Sequence, residues 1–446
     1  MIARLGKLAR TWFGDFSREE LKKFLLLAFI FFFVIGVYWL IRATKDSVFA
    51  TIIGADNIPW AKWVSLAVVV PLAMAYGWLV SKFPRHRVFY ALSAIYGILG
   101  LLFVFLLQHP TIGLANTEVS GWRLLGWAYY VYVESFGSIL VLLFWAFAAD
   151  TTTPESAKRG YGIIAIGGQL GGIFGPLIVQ TQAKSLGTAF VIGIGAVSMF
   201  MIGFMVRYFM AVVSKEQLTG YQGHETQDQK KKEAKVGFGE GLGLMLSQPY
   251  LLGIVSVIMI YEIISTIFDF YFKALAAQTI SGDALTAYYG GYGVYVNILS
   301  FVCLIGGISN IARWLGLTVS LTLLPIVIAA LVIVLNLGIS LNITFWIMVF
   351  TKGLNYALNQ PSKEQLYIPT TRETKYKAKA WVEMFGSRGS KAMGSGVNIV
   401  KGFVSPGIFM IFSSFASLGL CAVWFLVALY LGRTHKKAVE NNKVVC

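Results

Sequence analysis

Apolar runs close to twenty residues long recur along this chain, and they constrain its fold more than any other feature. "FLLLAFIFFFVIGVYWLI" (24–41) is one, and "FVIGIGAVSMFMIGFMV" (190–206) is part of another. A helix rises about 1.5 Å per residue, so about twenty apolar residues cross the roughly 30 Å hydrocarbon core of a bilayer. About twelve such stretches can be read, near 24–53, 60–82, 88–108, 122–149, 161–182, 188–213, 249–276, 285–309, 316–338, 342–360, 379–411 and 412–432. Only 13% of the residues are charged, and the mean hydropathy is +0.69. The expected class is an all-α polytopic membrane protein.

A net charge of +16 would suggest nucleic acid if it were spread over a surface, but its placement argues otherwise. Lys and Arg gather at Arg4/Lys7/Arg10, Lys82/Arg85/Arg87, Lys158/Arg159, Lys230–Lys232, Arg313, Lys375/Lys377/Lys379 and Lys436/Lys437. These are alternate loops plus both termini. The positive-inside rule then puts both termini and the middle loop in the cytoplasm, as in a multi-pass protein of the cell's inner (plasma) membrane. The bilayer, not nucleic acid, is the implied partner. The N-terminus reads as a short basic amphipathic helix (2–12) leading into the first span, without a cleavable signal. Cys303, Cys421 and Cys446 are scattered and imply no disulfide framework.

Residues 214–246 turn polar, and "SKEQLTGYQGHETQDQKKKEAK" reads as a solvated cytoplasmic linker. It separates two similar halves, 1–213 and 247–446, each with about six spans. "TTPESAKRGYG" (152–162) aligns with "TTRETKYKAKA" (370–380), and the same offset sets Gly168 and Gly171 against Gly386 and Gly389. "VYWLIRATKD" (37–46) aligns with "IYEIISTIFD" (260–269), placing Tyr38 over Tyr261 and Asp46 over Asp269. A weaker match sets "GWLVSKFPRHR" (77–87) against "GGISNIARW" (306–314). Two six-helix pseudo-repeats joined by a cytoplasmic loop are the plan of major-facilitator-type transporters, whose site lies between the halves near the midplane.

A charge in mid-span costs about 2.5–3.5 kcal/mol on insertion scales, so each one is a functional candidate. The candidates are Arg42, Lys45, Asp46, Glu134, Glu262, Asp269, Lys273, Lys352, Arg388 and Lys391. Arg42/Asp46 and Asp269/Lys273 are spaced i,i+4 and suit pairing within a helix. Lys45 neighbours Asp46, but adjacent helical residues diverge by about 100°. Glu134 and Lys391 have no opposite charge three or four residues away. These three must find partners on other helices, in water or on a substrate.

"GSRGSKAMGSG" (386–396) is no phosphate-binding loop of the hydrolase type, because GxxxxGK[ST] would need a glycine at 391, where Lys391 stands. On a helix, Gly386, Ser390 and Gly394 form a small-residue stripe for close packing. Arg388 and Lys391 then point about 100–160° away, as on a cavity wall facing an anion.

At these residues the chain resembles the nucleotide transporter family, the ATP/ADP translocases of plastids and intracellular bacteria. The resemblance is carried in order by "LIRATKDSVFATIIGADNIPW", "VESFGSILVLLFWAFAADTTTPESAKR", "PSKEQLYIPTTRETKYKAKAWVE" and the glycine-flanked Lys391. It covers most of the chain. Four charged positions tied to transport in that family fall on Lys45, Glu134, Asp269 and Lys391. The third departs from the pattern: the family's "VEVTWK" is "FDFYFK" here, so a glutamate becomes Asp269 and a tryptophan becomes Phe272. Glu262 stands where the family usually has glycine.

The resemblance implies a membrane exchanger of ATP for ADP that works by alternating access and is not an enzyme. It implies no cofactor or metal, and a single chain is compatible with it. Lys45 and Lys391 would bind the phosphates, helped by Arg42 or Arg388, and Glu134 and Asp269 would hold these cations when no substrate is bound. Lys273, Asp46, Glu262 and Lys352 are secondary candidates. Tyr132, Phe136 or Phe272 would stack the base. A proton-coupled importer of another nucleotide, NAD or a phosphorylated anion on the same scaffold is the alternative. An embedded enzyme would need a nucleophile–base pair or a metal cluster. Yet His86, His109, His224 and His435 all lie in loops or at span ends, and no HExxH exists.

Overall fold

The computed structural model describes residues 16–214, 218, 243, 245–305, 316–335, 340–371, 381–382, 386–441 and 444–445. The expected basic helix over 2–12, nearly all of the 214–246 linker, the 306–314 repeat segment and most of 370–380 lie outside the described residues. Among the described residues the regular structure is all helical, without strands, and 109–123 is a non-helical connection. The helices are α1 (Arg18–Ile52), α2 (Ile58–Lys82), α3 (Arg85–Gln108), α4 (Leu124–Asp150), α5 (Pro154–Leu186), α6 (Thr188–Val212) and α7 (Pro249–Thr279). They continue as α8 (Gly282–Ile305), α9 (Leu317–Leu335), α10 (Leu341–Leu354), α11 (Gln360–Leu366), α12 (Ser387–Ile399) and α13 (Pro406–Glu440).

Among the described residues, nine helices are long and apolar enough to cross a membrane, namely α1–α7, α9 and α13. In hydrocarbon every backbone N–H and C=O must be satisfied within the segment, which only a helix or a closed barrel achieves. That requirement overrides the poor intrinsic helix propensity of the Phe- and Val-rich runs. Local signals set the ends. Ser17 caps α1, accepting from the Glu20 N–H at 3.1 Å, and Ser405 caps α13, which opens on Pro406. Gly187, at φ +86°, separates α5 from α6 in a backbone conformation that a side chain would strain.

The chain divides into two compact units. Unit 1 takes the chain through Gly54, then from Val68 through α6, together with Ile280–Val294. Unit 2 takes Ala55–Ala67, α7 and the chain from Tyr295 onward. Both α2 and α8 are therefore shared, each contributing one segment to either unit.

In unit 1, α1 packs against α4, α5 and α6, and α3 packs against α4 and α6. The α1–α5 seam is closed by glycines spaced i,i+4. A Cβ on Gly171 would lie 2.1 Å from the Phe32 carbonyl oxygen, and one on Gly175 would lie 2.0 Å from that of Gly36. Small residues here let two backbones touch, the main source of helix–helix attraction where lipid is as apolar as leucine. Helix α3 shows the matching contrast. Ile98 and Phe105 face outward, while Ser93, Gly97 and Gly100 are buried.

In unit 2, α7 packs against α10, α12 and α13, and α9 packs against α13. Its core gathers Tyr250, Leu251, Ile254, Leu324, Ile328 and Trp424. Of the small-residue stripe, Gly394 lies against α7, whereas Gly386, just before α12, is beside Trp381 and Val382. Ser390 is fully buried, and a Cβ on Gly394 would lie 2.7 Å from the Ile263 carbonyl oxygen. The repeat pairing of Gly171 with Gly389 does not extend to packing, because Gly389 faces open space.

After Leu354 the α-helical register breaks into a π-helical turn, Asn355–Asn359, followed by α11. Pro361 lacks an N–H and so favours a helix start there. The buried Asn359 amide donates to the Asn355 side chain at 2.8 Å. Such single π turns concentrate at functional sites.

Candidate functional site

In unit 1 the central charge is Lys45 on α1, only 2% exposed. Its ammonium pairs with Glu134 Oε1 from α4, lies 3.9 Å from Asp46 Oδ1 and sits 4.2 Å from the centre of the Tyr130 ring. Burying an unpaired ammonium would cost several kcal/mol, and the carboxylate with the ring face offsets that. The sequence argument that adjacent helical residues diverge was too strict for Lys45 and Asp46. Four flexible methylenes let the ammonium swing back along the helix to its neighbour's carboxylate. Glu134 is less enclosed, with 28% of its side chain exposed. The carboxylate therefore lies at the accessible edge of the pair, with the cation beneath it.

One turn before Lys45, the Arg42 guanidinium donates to the Tyr38 hydroxyl at 2.7 Å and lies 4.9 Å from the Trp39 ring centre. Farther along α1 is a polar cavity of about 100 Å³ whose lining includes Ser47, Thr51, Thr188, Asp283 and Thr286. Asp283 Oδ1 accepts from the Thr188 N–H at 2.8 Å and from its hydroxyl at 2.6 Å. Thr286 and Ser47 share a hydrogen bond at 2.6 Å.

In unit 2 the charges line up along α7. Asp269 Oδ2 accepts from the Lys273 ammonium at 2.5 Å, the expected i,i+4 pair. Lys62 and Lys352 add to the positive field at Asp269. Lys352, on α10, donates to the Ser265 hydroxyl and lies 5.8 Å from the Tyr261 ring centre. A small cavity of about 20 Å³ includes Tyr261, Ser265, Thr351 and Lys352 in its lining, room for one water molecule.

Lys391, on α12, has 45% of its side chain exposed and sits 3.9 Å from Glu262 Oε2. Arg388 lies one turn earlier on α12 and is half-buried. The acid beside Lys391 is therefore Glu262, and Asp269 is engaged with Lys273 instead.

Lys363 was not singled out in the sequence. It is only 6% exposed, lies 5.9 Å from the Tyr261 ring centre and feels the fields of Glu262 and Glu364. On a regular helix Lys352 and Lys363 would be about 16 Å apart along the axis. Their long stems, joined across the π-helical turn, bring both ammoniums to one tyrosine. The signal available was the charged "PSKEQL" just after an apolar run.

The aromatic residues proposed to stack a base are in the core. Phe136 and Phe272 are fully buried, and Tyr132 is nearly so. The Tyr132 hydroxyl donates to the Tyr96 carbonyl at 2.9 Å, and its ring packs on Phe103. Composition alone could not tell these from rings beside charges. Tyr38, Tyr130 and Tyr261 are among the rings that do meet cations.

Solved transporters share this architecture. Over 94% of this chain and 99% of the other, the structure superposes on a bacterial homologue of the iron transporter ferroportin, in its inward-facing state, with a TM-score of 0.67 at 10% sequence identity. That likeness concerns the fold, which is major-facilitator-like. By sequence, the chain is 26% identical to ADP,ATP carrier protein 1 of Chlamydia trachomatis, over 96% of this chain and 91% of that one. It is 23% identical to ADP,ATP carrier protein 4 of Rickettsia bellii, over 99% of this chain and 96% of that one. The family model described as TLC ATP/ADP transporter matches residues 4–342 and 326–434. With its spans, its charged helices and this match over nearly the whole length, the chain belongs to the TLC ATP/ADP transporter family.

Proposed function

We propose that this multi-pass membrane protein exchanges ATP for ADP by alternating access, driven by the nucleotide gradients. The observation that carries this reading is the Lys45–Glu134 pair, a buried cation on one span capped by a partly exposed carboxylate from another. A nucleotide phosphate offers Lys45 a replacement counter-charge, so substrate binding and release of Glu134 are one event. A ligand shifts a conformational equilibrium only through such a difference in contacts. Lys391, the more exposed cation of unit 2, takes phosphate as a point charge. Arg42 and Arg388 assist, and Asp269 keeps Lys273 compensated through the cycle. One chain carries both cation clusters, so a monomer suffices.

The test is uptake of labelled ATP by the purified protein in liposomes. Uptake is expected only when the vesicles hold ADP or ATP, and collapsing a proton gradient should leave it unchanged. Uptake into empty vesicles that stops on adding an uncoupler would replace exchange with proton-coupled import.

The basic loops support a topology with both termini in the cytoplasm and the protein in the cell's inner membrane. A reporter fused at residue 225 should then read cytoplasmic, and one near 340 external. Two reporters on the same side would overturn this topology.

A further inference from the structure

We propose that Glu262 sets the charge of the nucleotide that unit 2 accepts, by acting as a resident counter-ion inside its lysine cluster. Three cations, Lys352, Lys363 and Lys391, gather at the Tyr261–Glu262 step of α7, where Glu262 lies 3.9 Å from Lys391 and acts, with Glu364, on Lys363. Asp269 is engaged with Lys273, and Glu262 takes one unit from the positive charge these lysines present to a ligand.

The arrangement is asymmetric. Lys391 is the accessible member, and its 3.9 Å separation from Glu262 is longer than a hydrogen bond. Lys363 is buried 5.9 Å from the ring centre of the neighbouring Tyr261, in the fields of Glu262 and Glu364. An incoming phosphate competes with Glu262 for Lys391, and the displaced carboxylate keeps Lys363 as its partner. Glu262 thus exchanges one cation for another and is not left buried as a lone carboxylate. The carboxylate that remains beside the bound phosphate repels additional negative charge. It disfavours the triphosphate relative to the diphosphate, which carries one charge fewer. Specificity of this kind comes from a built-in repulsive element as well as from an attractive one.

This inference rests on the nucleotide-carrier reading above. The experiment measures half-saturating concentrations of ATP and ADP in reconstituted vesicles for wild type, E262Q, E262D and the double variant E262Q/K363Q. E262Q is expected to shift the ATP-to-ADP preference toward ATP by about tenfold, since one repulsive charge has gone. E262D keeps the charge and should hold the wild-type ratio. The double variant removes one charge of each sign and should return the ratio to within about twofold of wild type. Because only the ratio is read, losses in the amount of folded protein cancel. An unchanged ratio in E262Q, or a double variant that keeps the E262Q ratio, overturns the proposal while leaving the carrier reading intact. A wild type that binds and moves neither nucleotide overturns both.

Discussion

Lys45→Ala lowers ATP/ADP exchange per folded molecule by roughly 30–150-fold, the loss expected when a charged contact of about 2–3 kcal/mol to phosphate disappears. The prediction has a structural complication that can be separated out. Lys45 also compensates Glu134 and Asp46, so its removal alone leaves carboxylates facing a low-dielectric interior and should cost several kcal/mol of stability. The variant Lys45→Ala/Glu134→Ala removes one charge of each sign and should recover most of the lost thermal stability. It should not recover exchange, because the phosphate still lacks its cation. Exchange rates and melting temperatures of wild type, single and double variants decide the matter. If the double variant transports as well as wild type, the pair is structural and Lys45 is not a binding residue. Lys437→Ala, in the exposed basic end of α13, should change neither quantity.

Asp269→Asn is expected to lower both stability and exchange, for different reasons. Its carboxylate holds the buried Lys273 at 2.5 Å and faces the fields of Lys62 and Lys352. An amide there leaves the buried Lys273 without its carboxylate, at a cost of about 3–5 kcal/mol by analogy with broken buried pairs. Asp269→Asn combined with Lys273→Ala should regain stability, since the ammonium that Asp269 holds by direct hydrogen bond is then gone as well. Exchange by that double variant is expected to stay about tenfold below wild type, because the charge balance along α7 has changed. Asp269→Glu lengthens the side chain by one methylene, keeps the charge and should retain substantial exchange. The readout is uptake per molecule of folded protein beside the melting temperature of each variant. Wild-type uptake by the Asn/Ala double variant would reduce Asp269 to a structural acid.

The sequence by itself determined the class of the protein and most of its charged inventory. Twenty-residue apolar runs leave helices as the economical way to satisfy a backbone in hydrocarbon, so the spans follow from hydropathy without knowledge of packing. Charges inside those runs are costly enough to stand out individually, which is why Lys45, Glu134, Asp269, Lys352 and Lys391 could be listed unaided. Periodicity was enough for the buried face of Ser390 and Gly394, because i,i+4 neighbours share a helix face in any context, but not for Gly386, which meets Trp381 and Val382 instead. It was enough for Asp269 with Lys273 for the same reason.

Only the tertiary structure decided which charges meet across helices. Lys45 and Glu134 are separated by 89 positions, and Lys391 finds Glu262 from another helix. No local spacing encodes such pairs. Lys363 escaped notice because its place beside Tyr261 depends on a π-helical turn, whose extra residue shifts the register that sequence periodicity assumes. The aromatic residues failed in the opposite direction. Tyr132 and Phe136 look available in sequence, but an aromatic side chain in a membrane protein is equally at home in the core, against lipid or beside a cation. Which of these it does depends on the neighbours brought to it by helices far away in the chain. Segments 55–67 and 280–294 depend on the same long-range packing. Each lies in one half of the repeat by sequence and in the compact unit built mainly from the other half by contact. Helix faces are local properties and can be read from spacing, whereas their partners are set by packing among the whole set of helices.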